Sequence, residues 1–169
     1  MHAPYAALAA QGNERVRRFV VVDGKSETWK RIQSIVRKRA DKFSRMIPLL
    51  NVFLRKKIGE VFRKRLQADL LGEAPYYVFV IEPEGFPPAV KQSIAHCMQN
   101  MWLKATELEL GFRLISIFES MGKDRELCKL LAIDKGKYAI NCCAVGSPAQ
   151  EAEPSVRQDL DELTTWIRS

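Results

Sequence analysis

A stretch that stays apolar around most of a helical circumference constrains this chain more than any other feature. It is EGFPPAVKQSIAHCMQNMWLKATELELGF, from Glu84 to Phe112. Pro87 and Pro88 suit its entry, because a first-turn amide has no helical partner to lose. Ile94, Met98, Met101, Ala105 and Leu108 then recur at helical spacing, and Ala95, Trp102 and Leu103 fill the flank. A helix of that girth is expected to be buried against more than one neighbour. Gly111 is expected to end it. From Phe112 to Phe118 the pattern alternates like a strand.

The remaining elements follow from local pattern. Arg18–Val22, Tyr76–Ile81 and Tyr138–Val145 are β-branched or aromatic-rich runs bounded by turn residues, and they join Phe112–Phe118 as strands. Helices are expected at 27–45, 49–70, 88–108 and 123–131, with a last short one at 158–167. The reading is α+β: one domain over residues 1–169, with helices flanking a small, mostly antiparallel sheet. Within it, 27–70 reads as a basic helical insertion and 147–169 as an extended C-terminal tail.

Several function classes fall away on inspection. No run approaches the roughly 18 to 20 apolar residues of a membrane span, and the opening MHAPYAALAAQG lacks the charged and apolar regions of a signal peptide. Cys97, Cys128, Cys142 and Cys143 show neither CxxC spacing nor a histidine pair, so they read as buried reduced thiols rather than a metal site. That fits a cytoplasmic protein. Adjacent Cys142 and Cys143 in a strand point to opposite faces. His2 is terminal, His96 sits mid-helix, and Glu82, Glu84, Glu107 and Glu109 show no spacing that demands an acid/base pair. No nucleophile, zinc or phosphate-loop motif is present, so no catalytic side chain is assigned. Such poverty suits an enzyme whose cofactor carries the chemistry.

The net charge of +7 is unevenly spread. From Lys30 to Arg65 thirteen Lys or Arg face two acids, a local balance of +11, so the other residues sum to −4. Apolar positions recur at helical spacing on both sides of Pro48, which gives two amphipathic helices with basic polar faces. One reading is a solvated lysine-rich face. The other is a surface for an anionic partner, such as a cofactor phosphate or an anionic membrane surface. The absence of a reader motif and the scarcity of stacking aromatics argue against nucleic acid.

QSIAHCMQNMWLKATELELGFRLISI resembles the central helix and following strand of the FMN-dependent nitroreductase family, which shows a run like A-x-x-N-x-x-L-x-A-x-x-L-G-L-G. APYAALAAQ followed by RRFVVVD is similar to that family's A-P-S/Y loop and the strand after it. LAIDKGKYAINCCAVGSPAQ, Leu131 to Gln150, resembles its late segment ending in Gly-x-Pro. The three pieces come in the family's order, and the resemblance covers most of the chain, with its weakest match between Trp29 and Leu71.

The resemblance implies a nitroreductase-like fold with its central helix at a homodimer interface. It also implies an oxidoreductase that passes electrons from NAD(P)H through bound FMN to a nitroaromatic, quinone or similar small acceptor. By the same resemblance Pro4, Tyr5 and Ala6 touch flavin, and the amides of Ser116 and Ile117 face N5 and O4. Gly146, Pro148 and Arg157 lie nearest the phosphate. The family's basic R-x-S-x-R motif and its helix have no counterpart ahead of Ala3. Glu109 stands where the family has glycine, and Phe118 and Glu119 are expected to crowd the ring. Two further readings stay open: a flavin-free relative that binds an anionic partner through its basic helices, and a chain that folds poorly without the family's first helix.

Overall fold

The computed structural model describes residues 17–46, 71–85, 88–148 and 159–167. Its sheet is built around β2 (Tyr76–Pro83), which pairs antiparallel with β1 (Arg18–Asp23) on one side and β4 (Tyr138–Gly146) on the other. β3 (Gly111–Leu114) pairs antiparallel with β4 and completes the order β1-β2-β4-β3. β2 is buried on both faces and reads as a nearly unbroken apolar run, YYVFVIEP.

Helices cover the two faces separately. α1 (Glu27–Met46) is capped by Ser26, whose Oγ accepts from the Trp29 amide at 3.1 Å. Trp29, Ile32, Ile35 and Val36 of α1 pack with Tyr77, Phe79 and Ile81 of β2. α3 (Arg125–Leu130), with Asp124 as its N-cap, adds Leu127 to that core. On the opposite face α2 (Val90–Glu107) lays Val90, Ile94, Cys97 and Met98 against Val80 and Cys143. Cys142 belongs to the first core and Cys143 to the second, as their adjacency in a strand requires. A four-residue helix, α4 (Leu160–Leu163), lies within the expected 158–167 segment.

Three expectations are corrected. The strand expected to run through Phe118 stops at Leu114, and Ser116–Ser120 forms a 3-10 helix. Ile115, Phe118 and Met121 are all buried, and their spacing of three is the 3-10 period. Phe118 thereby reaches the first core, edge-on to Phe79 with ring centroids 4.9 Å apart. Continued pleating would have turned it to the other face. Second, α2 begins at Val90, after the N-cap Ala89, so Pro88 precedes the cap instead of occupying the first turn.

Third, Gly111 does not end α2. Leu110 donates to Ala105 O at 2.8 Å and Glu109 donates to Thr106 O at 3.1 Å, a Schellman closure with Glu109 at φ 55°. Nor is α2 covered all round. Ala95, Trp102, Leu103 and Leu108 are exposed, and Trp102 stacks on Phe112 with ring centroids 6.4 Å apart. The expected helix at 49–70 lies outside the described residues, as does most of the tail from 147 onward.

Candidate functional site

The 3-10 helix leaves its first amides without intrahelical acceptors. Ile115, one residue earlier, still donates to Cys142 O at 2.8 Å and so extends the ladder. The amides of Ser116 and Ile117 come next, and among the described residues neither finds a backbone acceptor. The Ser116 side chain is exposed, while Ile117 packs against the first core. Two adjacent free donors on a fixed turn suit the acceptor edge of a planar heterocycle. Phe118, expected to crowd such a ring, is instead wholly buried.

Farther along β3 a cleft of about 240 Å³ opens between Gly72–Pro75, the start of β3 and the end of β4. Arg113 and Glu73 are its charged lining residues. Gly72 sits at φ 67°, and a Cβ there would run into the Arg113 guanidinium. The 72–74 wall is held by Tyr77, whose hydroxyl donates to Gly72 O at 2.6 Å and accepts from the Ala74 amide at 3.1 Å. Trp29 stacks on that same ring at 3.4 Å, so α1 braces the wall from behind.

Gly146 and Pro148 line this cleft. The lack of a side chain at Gly146 has a packing reason, since a Cβ there would strike the Pro75 ring. Pro4, Tyr5, Ala6 and Arg157 lie outside the described residues. The structure therefore places Ser116, Ile117 and Gly146 along β3 and its partner β4, with the amide pair and the cleft toward opposite ends of β3.

A polar cluster that local pattern did not reveal lies under α2. Arg17 Nε is 2.5 Å from Glu82 Oε1, and both side chains are buried. Arg17 Nη2 donates to Ser93 Oγ at 2.9 Å, and Ser93 Oγ donates to Glu82 Oε1 at 3.0 Å. An acid inside an otherwise apolar buried strand was the available signal, because such a charge needs a partner. Nothing local indicated that the partner stood 65 residues earlier.

All four cysteines are free and buried. Burial pushes the Cys97 thiol up to about 11, with Arg17 pulling the other way, and pushes Cys143 up to about 12. Cys142 is raised well above its ordinary value, again by burial. Among the described residues no group of His, Cys, Asp and Glu is placed to hold a metal, and no helix is long and apolar enough to cross a membrane. His96 is exposed on α2.

The chain matches the nitroreductase family over residues 6–147, and it belongs to that family. Solved structures agree in fold. A BluB-like flavoprotein from Clostridium difficile 630 superposes with a TM-score of 0.76 at 19% identity, covering 98% of this chain and 85% of that one. A nitroreductase with bound FMN from Bacteroides fragilis NCTC 9343 gives 0.70 at 17% identity, with 99% and 83% covered. A mutant of the FMN and NADPH-dependent nitroreductase NfnB from Sphigopyxis sp. strain HMH gives 0.59 at 15% identity, with 96% and 84% covered. No curated protein matches the sequence. The small antiparallel sheet with helices on both faces is thus the nitroreductase-like fold.

Proposed function

We propose that this protein is an FMN-dependent oxidoreductase of the nitroreductase type, drawing electrons from NAD(P)H and delivering them to a nitroaromatic, quinone or similar acceptor. The observation that carries this reading is the pair of free amides at Ser116 and Ile117, at the positions where the family presents donors to flavin. Relatives of the same fold bind FMN, and one is described as NADPH-dependent. Bound flavin would supply the two-electron chemistry that the side chains here lack.

The chain's own contribution is positional. Rigid attachment of the amide pair to β4 through the Ile115–Cys142 bond holds two donors at a fixed angle, which favours negative charge developing on an acceptor edge.

The same reading includes a homodimer. Trp102, Leu103, Leu108, Leu110 and Leu114 are exposed on α2, on the turn after it and on β3, and a second copy would cover them. Four buried free cysteines suit a cytoplasmic setting.

A visible spectrum after gel filtration tests these points together. A yellow dimer near one flavin per chain, bleached by NAD(P)H and recoloured by a quinone or nitroaromatic, is expected. A colourless protein that neither retains added FMN nor oxidises NAD(P)H would sink the reading.

One observation favours a second reading, in which the protein is a flavin-free relative that binds an anionic partner. Lys30, Arg31, Arg37, Lys38, Arg39 and Lys42 are all exposed on α1. Because the apolar stripe of α1 is already in the core, that face would act by charge without inserting into lipid. Salt-sensitive binding of polyanions by colourless protein would support it.

A further inference from the structure

We infer that Arg39 and Lys91 are positioning residues for the donor pair. They grip the 3-10 helix from helices on opposite faces of the sheet, and so fix the direction of the Ser116 and Ile117 amides toward the flavin edge. This rests on the flavoprotein reading above and deepens it, because it names what sets the angle of the donors.

A 3-10 turn holds itself poorly, since its hydrogen bonds are badly aligned and its runs are short. Phe118 anchors this one in the first core, edge-on to Phe79. One buried ring fixes how deep the turn sits and leaves it free to rock about that point. The next two residues remove that freedom. Arg39 Nη2, from α1, donates to Ser120 O at 2.9 Å. Lys91 Nζ, from the first turn of α2, lies 3.0 Å from Glu119 Oε1. α1 packs on the first core and α2 on the second, so the two cations reach consecutive residues from either side.

Each tie has a physical reason for its place. A guanidinium at the last carbonyl of a helical turn meets the negative end of its peptide dipoles. A lysine in a first turn is opposed by the helix dipole. α2 has no acid of its own there, and Glu119 supplies one. The grip also runs back to the donors, because Ser120 Oγ donates to Ile117 O at 2.9 Å. Both ties are exposed to water, so they add little to global stability and act on the local angle.

The test compares full-length wild type, Arg39→Ala, Arg39→Lys, Lys91→Ala and the Arg39→Ala/Lys91→Ala double variant. Lys137→Ala, which loses another exposed ion pair, is the control. In flavin-free protein the double variant should exchange the Phe118 and Met121 amides about 10-fold faster, because their acceptors, Ile115 O and Phe118 O, belong to the turn. The Ile115 amide, bonded to Cys142 O, should keep its wild-type rate, and the urea midpoint should stay put. FMN and riboflavin should each bind about 10-fold more weakly to the double variant and about 3-fold more weakly to each alanine variant. Reduced FMN should lose about a further tenfold, which lowers the midpoint potential by about 30 mV for a two-electron couple. Arg39→Lys should keep most of the wild-type behaviour, and Lys137→Ala all of it.

Wild-type exchange at Phe118 and Met121 in the double variant overturns the inference, whether or not flavin binds. Faster exchange at Ile115 as well, with a lowered urea midpoint, overturns it too, since that marks a general loss of stability. So does a turn that opens while flavin affinity and potential stay unchanged. A wild type that binds neither flavin removes the flavoprotein reading, and this role with it.

Discussion

Glu82 accepts from the Nε of Arg17 at 2.5 Å in a place where water reaches neither side chain. Ser93 bonds to both, so the base of α2, the end of β2 and the residue before β1 are tied in one buried triangle. Breaking a buried pair by removing one member costs about 3–5 kcal/mol, because the other charge is left uncompensated. Arg17→Met and Glu82→Gln are each expected to lower the unfolding free energy by that much, read from urea denaturation. Arg17→Met, Glu82→Leu and Ser93→Ala combined should recover most of the loss. Single variants that melt with wild type would show that the pair contributes nothing.

Glu109 and Ala132 both occupy left-handed backbone, at φ 55° and 52°, in the closing turns of α2 and α3. For any residue with a Cβ that region costs roughly 1–2 kcal/mol, and glycine avoids it. Glu109→Gly and Ala132→Gly should therefore each stabilise the fold by about 1 kcal/mol, less the extra freedom that glycine gives the unfolded chain. Calorimetry would show both as raised Tm.

The Tyr77 hydroxyl tethers β2 to the 72–74 wall of the cleft. Tyr77→Phe keeps the Trp29 stack and deletes both bonds. About 1–3 kcal/mol of stability should go, and the Ala74 amide should exchange faster than in wild type. Unchanged exchange at Ala74 would mean that the wall is held by other contacts.

Thiol burial links stability to alkaline pH. Cys97 rises from an ordinary 9.0 to about 11 and Cys143 to about 12, so between those values the unfolded chain loses protons that the folded one keeps. Stability is therefore full below pH 9 and falls as pH climbs toward 11–12. Urea midpoints from pH 8 upward should trace the decline, and Cys143→Ala should flatten it. A thiol reagent should leave native protein unlabelled at pH 8 and label it on denaturation.

Ser116→Pro removes one of the two free amides at a helix start, where proline is otherwise tolerated. Flavin affinity is expected to drop about 3- to 10-fold for both FMN and riboflavin, the loss of one ordinary hydrogen bond. A loss shared by both flavins places the contact on the ring, which both carry, and not on the phosphate.

How much of this was legible in advance varied from element to element. β1, β2, β4, α1 and α3 lie close to where periodicity and capping residues put them, because alternation and helical spacing are local signals. The segment after Leu114 misled for a related reason: a row of three-spaced apolar residues, Ile115, Phe118 and Met121, hides inside an apparent period of two. Which period wins depends on whether Phe118 is needed beside Phe79, and that is a long-range fact.

The division between chain and fold follows the range of the forces involved. Local sterics and apolar spacing already specified four strands, the helices on either side and four thiols destined for burial. Tertiary packing alone joined Arg17 to Glu82, brought Gly72 under Arg113 and freed the amides of Ser116 and Ile117 by ending the ladder. A sequence window records which faces are apolar. Pairing across a sheet, a cleft between strand ends, and the residue that fills a given core position exist only once distant segments have met.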